Sequence, residues 1–435
     1  MKRTWHRMAA TLLGAGLIVG MAGCAGGTQG NTGSTGEYKA PESDIKAELT
    51  VSNWGNPGDE DLYDEAIARF NEKYPNVKVT HNFTQVTVWS DYINKILTSI
   101  AAGDAPDVIN LATEGVEFAL SKDLFLPLSN YVDQDDDVQS LIADIDPKLI
   151  EGFTKDGETY LMPNNWNTMV LYYNKSMFDA AGIERPGDDW TWDDFREISK
   201  KLTAGSGSAK TYGFAFQTYA FAYMPWLYSN GGSTASADLS EPALDSPEVI
   251  ESVQFLQDLV MKDRVAPDPS GSDANQLFQA GKVGMTAAPA SVSAILANDS
   301  PDLDYGILPM PQKTEKKTVY GAAGFAIYKQ SPNQDLAWEL IKELSSQETQ
   351  MGIAEIGANN PTTKTAAKSE AFTGRNEDAA LLYDAIEYAE PVAAPTFFTT
   401  LEPAFLRALQ AVFAGGDPAE ELGKAQAEVE SVANG

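Results

Sequence analysis

Apolar residues recur along this chain with two alternating spacings. A short apolar run at 49–52 predicts a strand, and it leads into the turn formers Asn53-Trp54-Gly55-Asn56-Pro57-Gly58. Leu62, Ala66, Ile67 and Phe70 then share one helical face, so 59–74 is predicted helical until Pro75-Asn76 stops it. Residues 77–80 alternate as a strand, 91–102 are amphipathic and end at Gly103, and 106–111 (PDVINL) predict a third strand. Strand, helix, strand, helix, strand predicts an α/β sheet with largely parallel strands. Downstream, strands are predicted at 160–162, 169–173, 212–217, 282–287, 304–308 and 325–328, with helices at 192–202, 247–263, 273–280 and 333–344. The C-terminal third reads as mostly helical, with helices at 379–388, 403–413 and 419–432.

The first residues follow neither spacing. Residues 1–7 (MKRTWHR) carry Lys2, Arg3 and Arg7, residues 8–22 are uncharged and mostly apolar, and Met21-Ala22-Gly23-Cys24 puts small residues at a cleavage point. Residues 1–23 therefore read as an export signal; a membrane span needs about 20 apolar residues. Cys24 is the only cysteine, so an internal disulfide is excluded, and its place suits a thiol that carries lipid. Residues 25–36 (AGGTQGNTGSTG) have almost nothing to bury. Residues 24–43 thus read as a lipidated cysteine and flexible tether, with a globular body from about Asp44. The expected location is the extracytoplasmic face of a bacterial membrane, held by lipid.

A body of that length exceeds one core and predicts two domains. Hydrophobic residues make up 43% of the chain and aromatic residues 10%, enough to build cores. Acidic residues number 62 against 31 basic, a net charge of −31, and loss of the leader makes it more negative still. Such a field repels nucleic acid, anionic lipid and phosphorylated ligands. No fixed-period repeat is present.

Several segments resemble the family 1 solute-binding proteins of ABC importers, the group that includes the maltose-binding protein. They are 17–24 (a lipobox), 101–108 (AAGDAPDV), 171–178 (LYYNKSMF) with Ala180-Ala181-Gly182 and WTWDDF (190–195) beyond it, 278–285 (FQAGKVGM), 305–309 (YGILP) and 337–341 (AWELI). The resemblance implies a two-lobed, type II periplasmic-binding-protein-like α/β fold, a hinge of about three crossing strands and ligand in the cleft. It implies lobes at 44–164 plus 307–357 and at 165–306 plus 358–435. It also implies a monomer that closes on an oligosaccharide and presents it to an ABC permease in the membrane, with no cofactor and no catalysis.

Sugars offer apolar ring faces and rims of hydroxyls, so a sugar site needs aromatic plates with fixed carboxylates and amides. Residues of those types stand on predicted loops and crossings: Trp54, Asn56, Trp89, Glu114, Asn165, Trp166, Asn167, Phe221, Tyr223, Trp226, Asn359 and Asn360. The resemblance places an acidic sugar ligand at Glu114. If Trp166 and Trp226 stack on ligand, replacing either with alanine costs on the order of 1–2 kcal/mol of affinity. Trp190, Trp192 and Trp338 read as core, and Asp107 as a turn or cap residue. The family often carries a stacking tryptophan after the 278–285 segment; here that stretch is Ala287-Ala288-Pro289-Ala290-Ser291. Either other aromatics replace it or the cleft is wider.

Other chemistry has little support. A secreted glycosidase would use two carboxylates, but nothing selects a pair among 62. HExxH, GxSxG and Walker motifs are absent. His81, the single histidine outside the leader, reads as a surface or strand residue. Asp133, Asp135 and Asp137 have the spacing that opens a calcium loop, but Val138 stands where glycine is needed and Asp144 where glutamate is needed, so no metal is expected. A surface lipoprotein binding a macromolecule or other non-sugar ligand remains an alternative.

Overall fold

The computed structural model describes residues 38–55, 58–85 and 89–433. Cys24 and Asn56 lie outside them. Two main sheets form. The first runs Asn360–Pro361, Met162–Thr168, Thr318–Ile327, Val108–Ala112, Ala47–Gly55, Val77–Gln85, with Ala389–Pro391 paired to the start of Thr318–Ile327. The second runs Tyr305–Leu308, Val170–Asn174, Val283–Ala288, Tyr212–Ala215.

Ala47–Gly55 pairs in parallel with both neighbours, as expected where helices make the crossovers. Most other pairings are antiparallel, including those of Thr318–Ile327 with Val108–Ala112 and of Val170–Asn174 with Val283–Ala288. The expectation of largely parallel strands therefore holds for Ala47–Gly55 with its neighbours, and parallel strand pairing recurs only between Ala389–Pro391 and Thr318–Ile327 and between Tyr212–Ala215 and Val283–Ala288 among the described residues. Elsewhere strands pass between the sheets and enter from the opposite end, which reverses their direction.

Local sequence explains the best-formed helices. Asp59–Lys73 has Asp59, Glu60 and Asp61 in its first turn and Lys73 in its last, matching the helix dipole. Thr191 and Asp194 close a capping box at the start of Trp192–Leu202. Behind the sheets lie two apolar clusters. One gathers Leu49, Phe70, Ile109, Phe325 and Trp338; the other gathers Leu171, Phe195, Phe214, Trp226 and Phe405. Trp190, Trp192 and Trp338 are buried core residues. Asp107 accepts from the Thr50 N–H and the Ser331 hydroxyl, a structural role. His81 sits on a strand and pairs with Asp64 at 2.7 Å.

Met169 alone separates Met162–Thr168 in the first sheet from Val170–Asn174 in the second. Residues 309–317 link Tyr305–Leu308 back to Thr318–Ile327. After 357/358 the chain touches both sheets: Asn360–Pro361 pairs with Met162–Thr168, while Asp378 accepts from the Ile307 N–H and Asn376 donates to the Tyr305 carbonyl, each at 2.9 Å. Ala366, Phe372, Leu382, Ile386 and Ala389 pack in the first cluster, and Val392, Ala394 and Phe398 in the second.

The globular body also begins earlier than Asp44. Tyr38 packs edge-on against Tyr131 at 5.1 Å, and its hydroxyl bonds Glu339. Glu339 is buried, and also pairs with Lys73 and, at 2.7 Å, with Lys342. Burial alone would raise its carboxyl, but hydrogen bonds from Lys342, Lys73 and Tyr38 hold it below the ordinary glutamate value. A carboxyl with a depressed folded pKa adds stability that is present at neutral pH and is lost as pH falls through that pKa. Glu339→Ala is expected to lower stability by about 2–3 kcal/mol, the full buried-pair penalty being reduced because both lysines reach water. Urea denaturation at pH 7 checks it; a loss below about 0.5 kcal/mol would reduce the cluster to a surface ion pair.

Candidate functional site

A cavity of about 190 Å³ opens between the two sheets. Trp54 at the end of its strand and Trp89 at the start of Trp89–Ala101 form one wall, with ring centroids 4.3 Å apart in an edge-to-face pair at 86°. Trp89 packs against both apolar clusters, so it stands at the junction of the lobes. Tyr219 and Phe221 face the cavity from the second lobe. Gly321–Ala323 forms part of the lining. A Cβ at Gly321 would lie 3.4 Å from the Phe221 ring and 3.7 Å from Glu114 Oε1, so glycine keeps the passage between those groups open.

Amides tie the lobes together at the cavity edge. Asn167 Oδ1 accepts from the Ala290 N–H at 3.1 Å, and its Nδ2 donates to Asn359 Oδ1 at 2.7 Å. Asn359 Nδ2 in turn donates to Asp59 Oδ2 at 3.2 Å. Beneath them, Asn164 and Asn165 both donate to the Tyr63 hydroxyl, at 2.6 and 3.3 Å, and Gln350 donates to the Asn164 carbonyl at 2.7 Å. This network explains how the polar stretch Met162–Thr168 forms a buried strand.

Glu114 lies on the helix Thr113–Ser121 and lines the cavity. Thr113 fixes that helix to the crossing strand: its hydroxyl accepts from the Ala322 N–H at 2.8 Å and donates to the Ala322 carbonyl at 3.0 Å. Glu114 is 5% exposed, and its Oε2 has no hydrogen-bond partner among the described residues. Burial, and secondarily the charge of Glu402, push its carboxyl up to about 8 against a bond from its own backbone N–H.

Of the residues expected to bind ligand, Trp54, Trp89, Glu114, Asn165, Asn167, Phe221 and Asn359 come together at this cavity. Four others do not. Trp166 is 1% exposed, donates from Nε1 to the Pro361 carbonyl at 3.0 Å and meets the Tyr383 ring. Trp226 is 1% exposed among Trp192, Phe195, Phe214 and Phe255. Tyr223 stacks on Phe216 in the same core. Asn360 is buried and donates to the Leu382 carbonyl at 2.8 Å. The expected affinity losses for Trp166→Ala and Trp226→Ala therefore become stability losses. Tyr219, Pro289 and Ser291 also line the cavity and were not expected. Tyr219 had a signal, since it lies two residues before Phe221.

Among the described residues no group of three or more His, Cys, Asp or Glu side chains could hold a metal ion. Asp135 instead caps the helix Asp136–Asp144 and pairs with Lys342. A second cavity, about 460 Å³, is bordered by Thr113, Gly152, Tyr228 and Val392.

A family model described as bacterial extracellular solute-binding protein matches residues 55–351. The chain belongs to that family. Relatives of this solute-binding protein include a putative binding protein of Brucella abortus (strain 2308), 24% identical over 382 residues, which span 85% of this chain and 89% of that one. An arabinooligosaccharide-binding protein of Halalkalibacterium halodurans is 26% identical over 320 residues, spanning 68% of this chain and 67% of the relative. A solved ABC substrate-binding protein from Listeria monocytogenes, in complex with cycloalternan, superposes with a TM-score of 0.79 at 24% identity, over 90% of this chain and 100% of that chain. The fold is thus the two-lobed type II binding-protein fold, and the family consists of binding proteins, not enzymes. Among the described residues of this solute-binding protein, no helix is long and apolar enough to cross a membrane.

Proposed function

We propose that this protein is the substrate-binding component of an ABC importer, that it takes an oligosaccharide between its lobes for delivery to a membrane permease, and that lipid on Cys24 holds it outside the cell. The observation that carries the sugar reading is the lining of the cleft: four aromatic rings, three asparagines and one carboxyl, with no lysine, arginine or histidine among the described residues. Rings stack on the apolar faces of sugars, and amides serve both donor and acceptor hydroxyls. The named ligand of the Halalkalibacterium relative, an arabinooligosaccharide, is of the same class. At about 190 Å³ the cavity is below the ~300–1,000 Å³ of typical ligand clefts, so a ligand longer than one or two rings needs the lobes further apart. Only differential affinity for the closed arrangement can drive closure.

Titration calorimetry of the chain from residue 25 onward against mono- and oligosaccharides tests this, with the ligand recovered and checked afterwards. The start keeps Tyr38, which packs into the body. Micromolar or tighter binding of an oligosaccharide recovered intact is expected, about 8 kcal/mol or more. Heat with peptides or a surface polymer, and none with any sugar, overturns the reading.

A further inference from the structure

The cleft holds a buried carboxyl with no cation beside it in the lining among the described residues. Glu114 Oε2 faces the cavity without a hydrogen-bond partner among the described residues, in a side chain that is nine-tenths buried. Glu402, on the helix Phe398–Phe413, is 7% exposed, and its Oε2 is also without a partner. The two are close enough for the charge of Glu402 to act on Glu114. Tyr228, on Met224–Ser229, lies within the influence of Glu114, and Tyr219 lines the same cavity; neither is a cation. Asp91, beside Trp89, adds further negative charge near Glu402.

Resting on the sugar reading above, we propose that the ligand of this cleft is a basic amino sugar, or an oligomer containing one, whose protonated amine pairs with Glu114. A hydroxyl can bond one oxygen of the carboxyl but cannot stabilise its ionised form by charge. An ammonium brings three donors and a charge, which is what a buried carboxylate needs. The rings of Trp54, Trp89, Tyr219 and Phe221 present negative faces that also favour a cation. The acidic chain raises the local concentration of cationic ligands before contact.

The chemistry balances through one proton. In the empty cleft, burial leaves the Glu114 carboxyl protonated at pH 7, its pKa being about 8. Pairing with an ammonium requires the carboxylate, so a proton leaves to buffer as the ion pair forms. Affinity then rises with pH through this range, until the amine of the ligand itself loses its proton. The same sign applies to folding. A carboxyl raised from 4.5 to about 8 binds more protons folded than unfolded, so the empty protein loses stability as pH rises across that window.

Calorimetry with glucosamine oligomers, their N-acetylated counterparts and neutral glucose oligomers of equal length separates the cases, each run in two buffers of different ionisation enthalpy. The glucosamine oligomer is expected to bind about tenfold or more tighter, with proton release. Both the preference and the release are expected to vanish in Glu114→Gln, whose fold is checked by circular dichroism. Neutral oligomers binding as tightly as the amine, without proton release, overturn the amine while leaving the sugar reading standing. A preference that persists in Glu114→Gln removes Glu114 as its partner and also overturns the proposal. Absence of binding by every sugar brings down both readings together.

Discussion

Trp226→Ala is expected to remove about 3–5 kcal/mol of stability while the folded fraction keeps its affinity for ligand. The ring is 1% exposed, with centroids at 5.0 Å from Phe195, 5.8 Å from Trp192 and Phe255, and 5.9 Å from Phe214. Truncation removes an indole from a knot of five aromatic rings held by four different elements, which resist collapse into the space left behind. Urea denaturation gives the loss. Should Trp226→Ala fail to accumulate, Trp226→Phe is expected to cost about 1–3 kcal/mol by the same route. A stable variant with affinity reduced tenfold would return Trp226 to the cleft.

The second large effect belongs to the opposite wall. Trp54→Ala and Trp89→Ala are each expected to weaken sugar binding by on the order of 1–2 kcal/mol, a five- to thirtyfold change. Their rings touch edge to face at 4.3 Å, so the double variant should lose less than the sum of the singles. A double-mutant cycle by calorimetry measures that coupling. Both rings are half-buried, so Trp54→Ala should disturb folding far less than Trp226→Ala does. Full affinity in both single variants would move the ligand away from this wall.

These contrasts show where sequence patterning carries information. Periodicity and caps marked Asp59–Lys73, Trp192–Leu202 and Gln334–Leu344 closely, because each buries one apolar stripe against a sheet. Thr113–Ser121 went unseen because Gly115 and Val116 are poor helix formers; it is secured by a tertiary bond, Thr113 to Ala322. Phe398–Phe413 starts before Pro403, which lies inside the helix, because packing of Phe398 and Leu401 in the second core holds the first turn in place. Met162–Thr168 gave no strand signal, as its amides are satisfied by other buried amides rather than by alternation.

The cleft was legible in part for a related reason. Aromatic and amide residues on turn-rich segments mark a binding face as a class, and Trp54, Trp89 and Phe221 do line it. Which ring of a dense segment turns inward is a packing matter. Phe221 and Trp226 are five residues apart, yet one faces the cavity and the other sits beneath Trp192.

The distribution of indoles has a spectroscopic consequence. Of eight tryptophans, Trp5 lies outside the described residues and five are buried in the apolar cores. Trp54 and Trp89 remain, in edge contact with each other at the cleft. A change in the emission of the chain from residue 25 onward on adding sugar is therefore expected to originate from that pair, over a background from the interior. Water leaving the cleft should move their emission to the blue, and loss of the signal in the double alanine variant would assign it without any attached dye.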